Sequence, residues 1–308
     1  MKILITGGAG FIGSHLVEQV LAAGHSVRVL DNLSTGKREN IPTNTQVEFV
    51  EGDIRNAQTV RRAVAGTDAI VHLAAVASVQ ASVDDPLGTH ASNFDGTLHL
   101  LDAARLEGVR RFVYASSAAV YGDTEQLPVA ESTVLKPLSP YAADKLAGEH
   151  YLSFYSGRYD IGAVAFRFFN IYGPRQDPSS PYSGVISIFA DRLQHRAPVT
   201  IFGDGLQTRD FVFVTDLARL LLKAVNVPLN SFQVVNVGRG KSVSLLDLLG
   251  SFEQVAGRTI ARTHAEPRHG DIRHSRADVV RLNQMFGGVT PTELTEGLSA
   301  LWESQNPA

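Results

Sequence analysis

Tyr141 and Lys145 stand four residues apart in a stretch with helical character, so the phenol and the ammonium share one helix face. A nearby ammonium stabilises a phenolate, which lets such a tyrosine work as a base below its ordinary value of about 10. The pair needs a third group to steer the substrate oxygen. Ser117, in the segment Tyr114-Ala-Ser-Ser-Ala-Ala-Val-Tyr121, is the candidate. Beside a nicotinamide cofactor, this trio would take the proton of a sugar or alcohol hydroxyl while the cofactor takes a hydride.

The cofactor's place is marked by Gly7, Gly10 and Gly13, a GxxGxxG spacing between a strand and a helix. Glycine lets the backbone turn tightly and approach a pyrophosphate, whose charge the helix N-terminus then stabilises. Phe11 and Ile12 open that helix. Asp31, with Asn32 behind it, ends the second strand about 20 residues later, where a carboxylate binds ribose hydroxyls and repels a 2′-phosphate. NAD is therefore expected rather than NADP, although Lys37 and Arg38 follow closely. Asp53 and Ile54, after the third strand, are placed to meet the adenine edge. Ala74 and Ala75, after the fourth, should line the cofactor with small side chains, and Leu73 at that strand's end is also a candidate cofactor contact.

The first half of the chain alternates nearly continuous apolar runs with helical stretches. That pattern predicts a doubly wound parallel α/β sheet covered on both faces. Strands are expected at Lys2–Thr6, Ser26–Leu30, Gln46–Val50, Ala69–Leu73, Arg111–Ala115 and Gly162–Phe168, with a seventh at Gln233–Val237. Helices are expected at Phe11–Ala23, Ala57–Val64, Asn93–Glu107 and Ser139–Tyr159. After about Asn170 the alternation ends. A Pro- and Gly-rich stretch leads into helices near Val185–Gln194, Asp216–Val225 and Ser244–Ala256, read as a smaller mixed α/β lobe.

The bulk numbers narrow the field. A chain of 308 residues, 44% hydrophobic and 19% charged, is a folded protein with room for a large unit and a smaller lobe. A net charge of −3 without a basic run argues against nucleic acid. Cysteine is absent, so disulfides and cysteine metal sites are excluded. His72, His269 and His274 lack metal-ligand spacing with carboxylates, and His72 reads as a buried structural residue. No apolar run approaches the roughly 18 residues of a membrane span. Met1-Lys2 runs straight into Ile3-Leu4-Ile5, so the expected compartment is the cytoplasm.

Taken in order, Gly7, Gly10, Gly13, Asp31, Asp53-Ile54, His72 to Ala75, Asn93, Ser117, Tyr141 and Lys145 resemble the extended short-chain dehydrogenase/reductase family over nearly the whole chain. The resemblance implies a Rossmann domain over 1–169, with segments near 207–240 returning to it, and a UDP-sugar-binding lobe over 170–308. The segment from Ser117 to Gly122 resembles the nucleotide-sugar 4-epimerases of the family. Related dehydratases and decarboxylases carry carboxylates where this chain has Ala118 and Ala119.

In the second lobe the resemblance implies that Asn170 contacts the substrate diphosphate. It places Ile201 and Phe202 at the uracil, Arg209 and Arg268 at phosphates, and Asp271 at the nucleotide ribose. Two guanidinium groups and an amide orient a pyrophosphate well. Ser78, on the loop after the fourth strand, is a candidate sugar contact. Ser275 is implied to border the sugar. A bulky Tyr there confines such enzymes to UDP-glucose and UDP-galactose, whereas a small residue admits an N-acetyl group at C2. UDP-GlcNAc and UDP-GalNAc are thus expected to be favoured, with UDP-glucose and UDP-galactose also turned over. NAD is implied to stay bound throughout, and a homodimer to form through the helices at Asn93–Glu107 and Ser139–Tyr159. The other readings are a UDP-glucuronate 4-epimerase, a nucleotide-sugar dehydrogenase or reductase with net redox, and a non-catalytic dinucleotide sensor.

Overall fold

The computed structural model describes residues 1–177, 184–267, 272–287 and 291–306. The chain divides into two compact units. The first comprises Met1–Gly122, Val134–Phe168 and Leu217–Val235. The second comprises Asp123–Thr133, Phe169–Asp216 and Asn236–Ala308.

The first unit is built on β1 (Lys2–Thr6), β2 (Ser26–Asp31), β3 (Val47–Glu51), β4 (Ala69–His72), β5 (Arg111–Ser117) and β6 (Gly162–Phe168). With the strand Gln233–Val237 they form a seven-stranded sheet in the order Gln233–Val237, β6, β5, β4, β1, β2, β3. All pairings among β1–β6 are parallel. Ile3, Leu4 and Ile5 are consecutive and fully buried, as residues on alternating faces must be when both faces are covered. The strand order reverses between β1 and β4, the crevice where open parallel sheets bind ligands.

Around this sheet lie α1 (Phe11–Ala22), α2 (Ala57–Val64), α3 (Val79–Asp84), α4 (Pro86–His90), α5 (Gly96–Glu107) and α6 (Pro140–Tyr159). Capping fixes most of their starts. Asn56 accepts from the Thr59 N–H to open α2, and Ser139 from the Ala142 N–H to open α6, with Pro140 at its first position. The helix expected from Asn93 instead begins at Gly96 and is entered through a π-turn, Ala91–Asp95. The short helices α3 and α4 lack a periodic apolar face. They rest on side-chain caps from Ser78 and Asp85.

The second unit has its own core. Phe189, Leu193, Val199, Ile201, Leu248, Phe252, Leu298 and Leu301 pack among helices Val185–Gln194, Leu245–Ala256 and Leu294–Gln305. Among the described residues, three two-stranded sheets complete it. Asn170–Tyr172 pairs in parallel with Phe211–Phe213, Val199–Phe202 in parallel with Arg262–Ala265, and Thr208–Arg209 antiparallel to Val243–Ser244.

Candidate active site

β5 runs two residues further than the sequence pattern indicates and ends on Ser117. Ser117 opens a single 3-10 turn, its hydroxyl accepting from the Ala119 N–H at 3.2 Å. The same hydroxyl lies close enough to the Tyr141 phenol, at the start of α6, to lower its proton affinity. One turn on, the Lys145 ammonium lies 5.8 Å from the Tyr141 ring centroid and 5.1 Å from that of Tyr114. The strand end and the helix N-terminus thus bring the three expected catalytic groups together.

Burial governs their proton affinities. It pushes the Tyr141 phenol up, and the Ser117 hydroxyl pulls it back. The Lys145 ammonium, 3% exposed, is pushed down to about 8, with the neighbouring Asp144 carboxylate opposing that shift. Tyr114 is pushed up by burial and stays a phenol. His72 is a satisfied core residue, as its place in a buried strand suggests. Its ring bonds Thr6 Oγ1 at 2.7 Å and Thr97 Oγ1 at 2.9 Å, and burial holds it neutral.

The dinucleotide cradle follows β1. Gly7 takes φ +70°, and a Cβ there would lie 2.8 Å from the Ala74 backbone nitrogen. A Cβ on Gly13 would collide with the Gly7 carbonyl, so that position sets how closely α1 approaches the turn. Gly10 caps α1 without a side-chain hydrogen bond. The first N–H groups of α1, including those of Phe11 and Ile12, are therefore left for an anion. This geometry fits a pyrophosphate.

Asp31 is buried. It accepts from the Ala9 N–H at 2.9 Å and the Leu33 N–H at 2.8 Å, clamping the glycine loop. A carboxylate has about four acceptor sites, so ribose hydroxyls can still be received. Asn32 donates to Asp53 at 3.0 Å. Arg55 forks onto Asp53 and pulls its carboxyl down to about 2. Ile54 is buried and packs against Gly96. Arg38 stacks on Phe49 at 4.5 Å and Lys37 reaches toward Glu39, so neither points to a 2′-phosphate role. After β4, Leu73 and Ala74 donate backbone N–H groups to Thr6 Oγ1. Beyond Ala75, Asn93 holds both polar atoms of Val76, the task for which the π-turn aims it inward. Ser78 spends its acceptor on the Ala81 N–H as the α3 cap.

In the second unit Arg209 and Ser275 are brought together. The Ser275 N–H bonds the Thr208 carbonyl at 3.1 Å, and Arg209 Nη1 donates to that same carbonyl at 2.9 Å. Asn170 begins its strand, its N–H donating to the Asp210 carbonyl. Ile201 is wholly buried in the core and offers only its backbone to a ligand, whereas Phe202 is half-buried. Arg273 forks onto Asp204 at 2.8 and 2.6 Å, an exposed ion pair. Arg268 and Asp271 lie outside the described residues.

Sequence reasoning passed over a buried network behind Ser117. Glu149 accepts from Ser116 Oγ at 2.5 Å and from Arg167 at 2.9 and 2.7 Å, and Arg167 also donates to Tyr121 at 2.9 Å. The signal was available, because Glu149 stands one helical turn past Lys145 on the catalytic face.

A family model for the NAD-dependent epimerase/dehydratase family matches residues 3–238. The UDP-glucose 4-epimerase of Mycolicibacterium smegmatis is 41% identical over 304 residues, covering 97% of this chain and 96% of its own. The structure of the UDP-N-acetylglucosamine 4-epimerase of Methanobrevibacter ruminantium, in complex with UDP-N-acetylmuramic acid, matches with a TM-score of 0.94. It is 35% identical, with 99% of this chain and 97% of that one covered. The Thermus thermophilus UDP-glucose 4-epimerase complexed with NAD matches with a TM-score of 0.91 at 39% identity over the full length of both chains. With the glycine cradle at the β1–β4 crevice and Ser117, Tyr141 and Lys145 assembled beside β5, the chain belongs to the NAD-dependent epimerase/dehydratase family.

Proposed function

We propose that the protein inverts C4 of a UDP-hexose through a 4-keto intermediate, turning over UDP-GlcNAc and UDP-GalNAc and also UDP-glucose and UDP-galactose. The observation that carries this is the joined Ser117–Tyr141–Lys145 group in the unit that holds the glycine cradle. The relatives that act on UDP-glucose and on UDP-N-acetylglucosamine support it. Tyr141 takes the proton of the sugar 4-hydroxyl and later returns it. Ser117 holds the same oxygen and orients it. Lys145 supplies the positive charge that favours the phenolate. Bound NAD supplies the acceptor, and then the donor, of the C4 hydrogen. Asn170, Arg209 and Arg268 tether the diphosphate while the 4-keto sugar turns over, so the hydride returns to the other face. Phe202 and the Ile201 backbone receive the uracil, and Asp271 the ribose.

The N-acetyl preference rests on Ser275, whose small side chain leaves room at C2 where a Tyr would fill it. The partner in solution is a second copy of the chain. Phe154 on α6 is 59% exposed, and Tyr151 on α6 and Leu106 on α5 are also exposed, apolar surface that a homodimer through these helices covers. Among the described residues, no helix is long and apolar enough to cross a membrane.

The test is to mix purified protein separately with UDP-GlcNAc and with UDP-glucose, without added NAD, and follow the anomeric protons by NMR. UDP-GalNAc appearing faster than UDP-galactose is the expected result. Turnover of UDP-glucose alone would remove the Ser275 argument. No product from either sugar, with NAD then supplied, would remove the epimerase reading.

A further inference from the structure

The residue before the catalytic lysine is a buried acid. Asp144 is 5% exposed, and one of its oxygens receives His90 Nδ1 at 2.6 Å. Its other oxygen, Oδ2, is buried and meets no hydrogen-bond donor among the described residues. His90 is itself fixed. Its ring stacks on Phe94 at 5.2 Å, and Phe94 meets Tyr151 of α6 edge-on at 5.1 Å. A carboxylate oxygen withdrawn from water and left without a donor is costly unless a cation lies near. Lys145 needs the converse. Its ammonium has lost its water and has the faces of Tyr114 and Tyr141 around it, which compensate a cation only in part.

We propose that Asp144, held in place by His90, is a positioning residue for catalysis whose buried carboxylate keeps Lys145 charged beside Tyr141. This rests on the reading of Tyr141 as base and Lys145 as its cationic partner. The other titratable groups on the elements packed against α6 do not supply the charge. Burial keeps Tyr114 on β5 and His72 on β4 neutral. Glu149, further along α6, is bound to Arg167 of β6, and Asp102 of α5 to Arg105. On the α3–α4 side, Asp84 takes a hydrogen bond from Gln80, and Asp85 caps the Gly88 N–H. Burial alone would bring the lysine's proton loss below the value of about 8 that it holds with Asp144 present.

Asp144→Asn removes the charge and nearly keeps the shape. Loss of an opposite charge at close range shifts a neighbour by about one pH unit or more. The alkaline limb of kcat should therefore move toward acid by about one unit, with KM for the UDP-sugar unchanged at neutral pH. A second readout needs no turnover. The tyrosinate absorbance that distinguishes the protein from its Tyr141→Phe variant should appear at higher pH in the Asp144→Asn background. If Asp144→Asn does not fold, His90→Ala admits water that screens the carboxylate, and its alkaline limb should move the same way by less than a unit.

An alkaline limb and a Tyr141 titration that both stay in place would overturn the inference, as would a loss of kcat by one factor at every pH. Either would leave Asp144 as a helix-stabilising acid only. The base assignment stands or falls separately. Full turnover by Tyr141→Phe would remove it, whatever Asp144→Asn does.

Discussion

The buried Glu149–Arg167 pair sets a stability prediction with a worked magnitude. Both residues are 3% exposed, and Arg167 engages both carboxylate oxygens. Arg167→Met removes the cation and strands Glu149, which keeps only the Ser116 hydroxyl as its described donor among these four residues. Breaking a buried pair from one side costs about 3–5 kcal/mol. Loss of the Tyr121 contact adds roughly 1 kcal/mol more. For a unit of this size, the melting temperature should drop by roughly 10 °C or more.

The double variant Glu149→Leu/Arg167→Met removes both charges and should regain about half of the loss, held back by the Ser116 and Tyr121 hydroxyls, which lose these bonds. The network also joins β5 to α6 and so fixes Ser117 against Tyr141. In the single variant kcat should therefore fall more than KM rises. Urea unfolding followed by circular dichroism, with steady-state kinetics on the same samples, reads both. A single variant within about 1 kcal/mol of the parent, or a double variant no better than the single, would refute this reasoning.

Other perturbations separate the remaining roles. Tyr141→Phe should lower turnover by about 10²- to 10⁴-fold while UDP-sugar affinity by calorimetry is kept. Gly13→Ala places a Cβ against the Gly7 carbonyl and should leave the purified protein short of NAD, read from the cofactor released on acid denaturation. Asp53 is depressed by Arg55 to about 2, so its stabilisation is complete above the usual carboxylate value and is lost as pH falls through about 2. Asp53→Asn should flatten the acid limb of stability between about pH 4 and 2. Ser275→Tyr should suppress turnover of the N-acetylated sugars and spare UDP-glucose, measured by coupled assay on both.

The sheet was legible because its strands are continuous apolar runs buried on both faces, a pattern that depends on local composition alone. Tyr141 and Lys145 were legible because helical spacing fixes their relation, and Ser117 as the hydroxyl offered by the segment from Tyr114 to Tyr121, although the strand was expected to stop two residues before it. The short helices α3 and α4 were not, since they rest on caps from Ser78 and Asp85 rather than on a periodic face. The π-turn at Ala91–Asp95 leaves no local mark, because it serves a distant partner, the Val76 backbone. The contact of His90 with Asp144 joins residues far apart in the chain, and no spacing rule encodes it; helical spacing from Lys145 marks Glu149 but not its partner Arg167. In the second unit the family resemblance pointed to Ile201, whose side chain the alternation of its strand turns into the core.

The central claim is that one hydrogen leaves C4 and the same hydrogen returns to its opposite face. The most direct measurement uses UDP-GlcNAc carrying deuterium at C4, incubated with the purified protein in ordinary water and without added NAD, with the product isolated for mass spectrometry and NMR. The account predicts UDP-GalNAc that keeps its C4 deuterium in full. Deuterium lost to water, or product formed only with stoichiometric consumption of a nicotinamide cofactor, would contradict it.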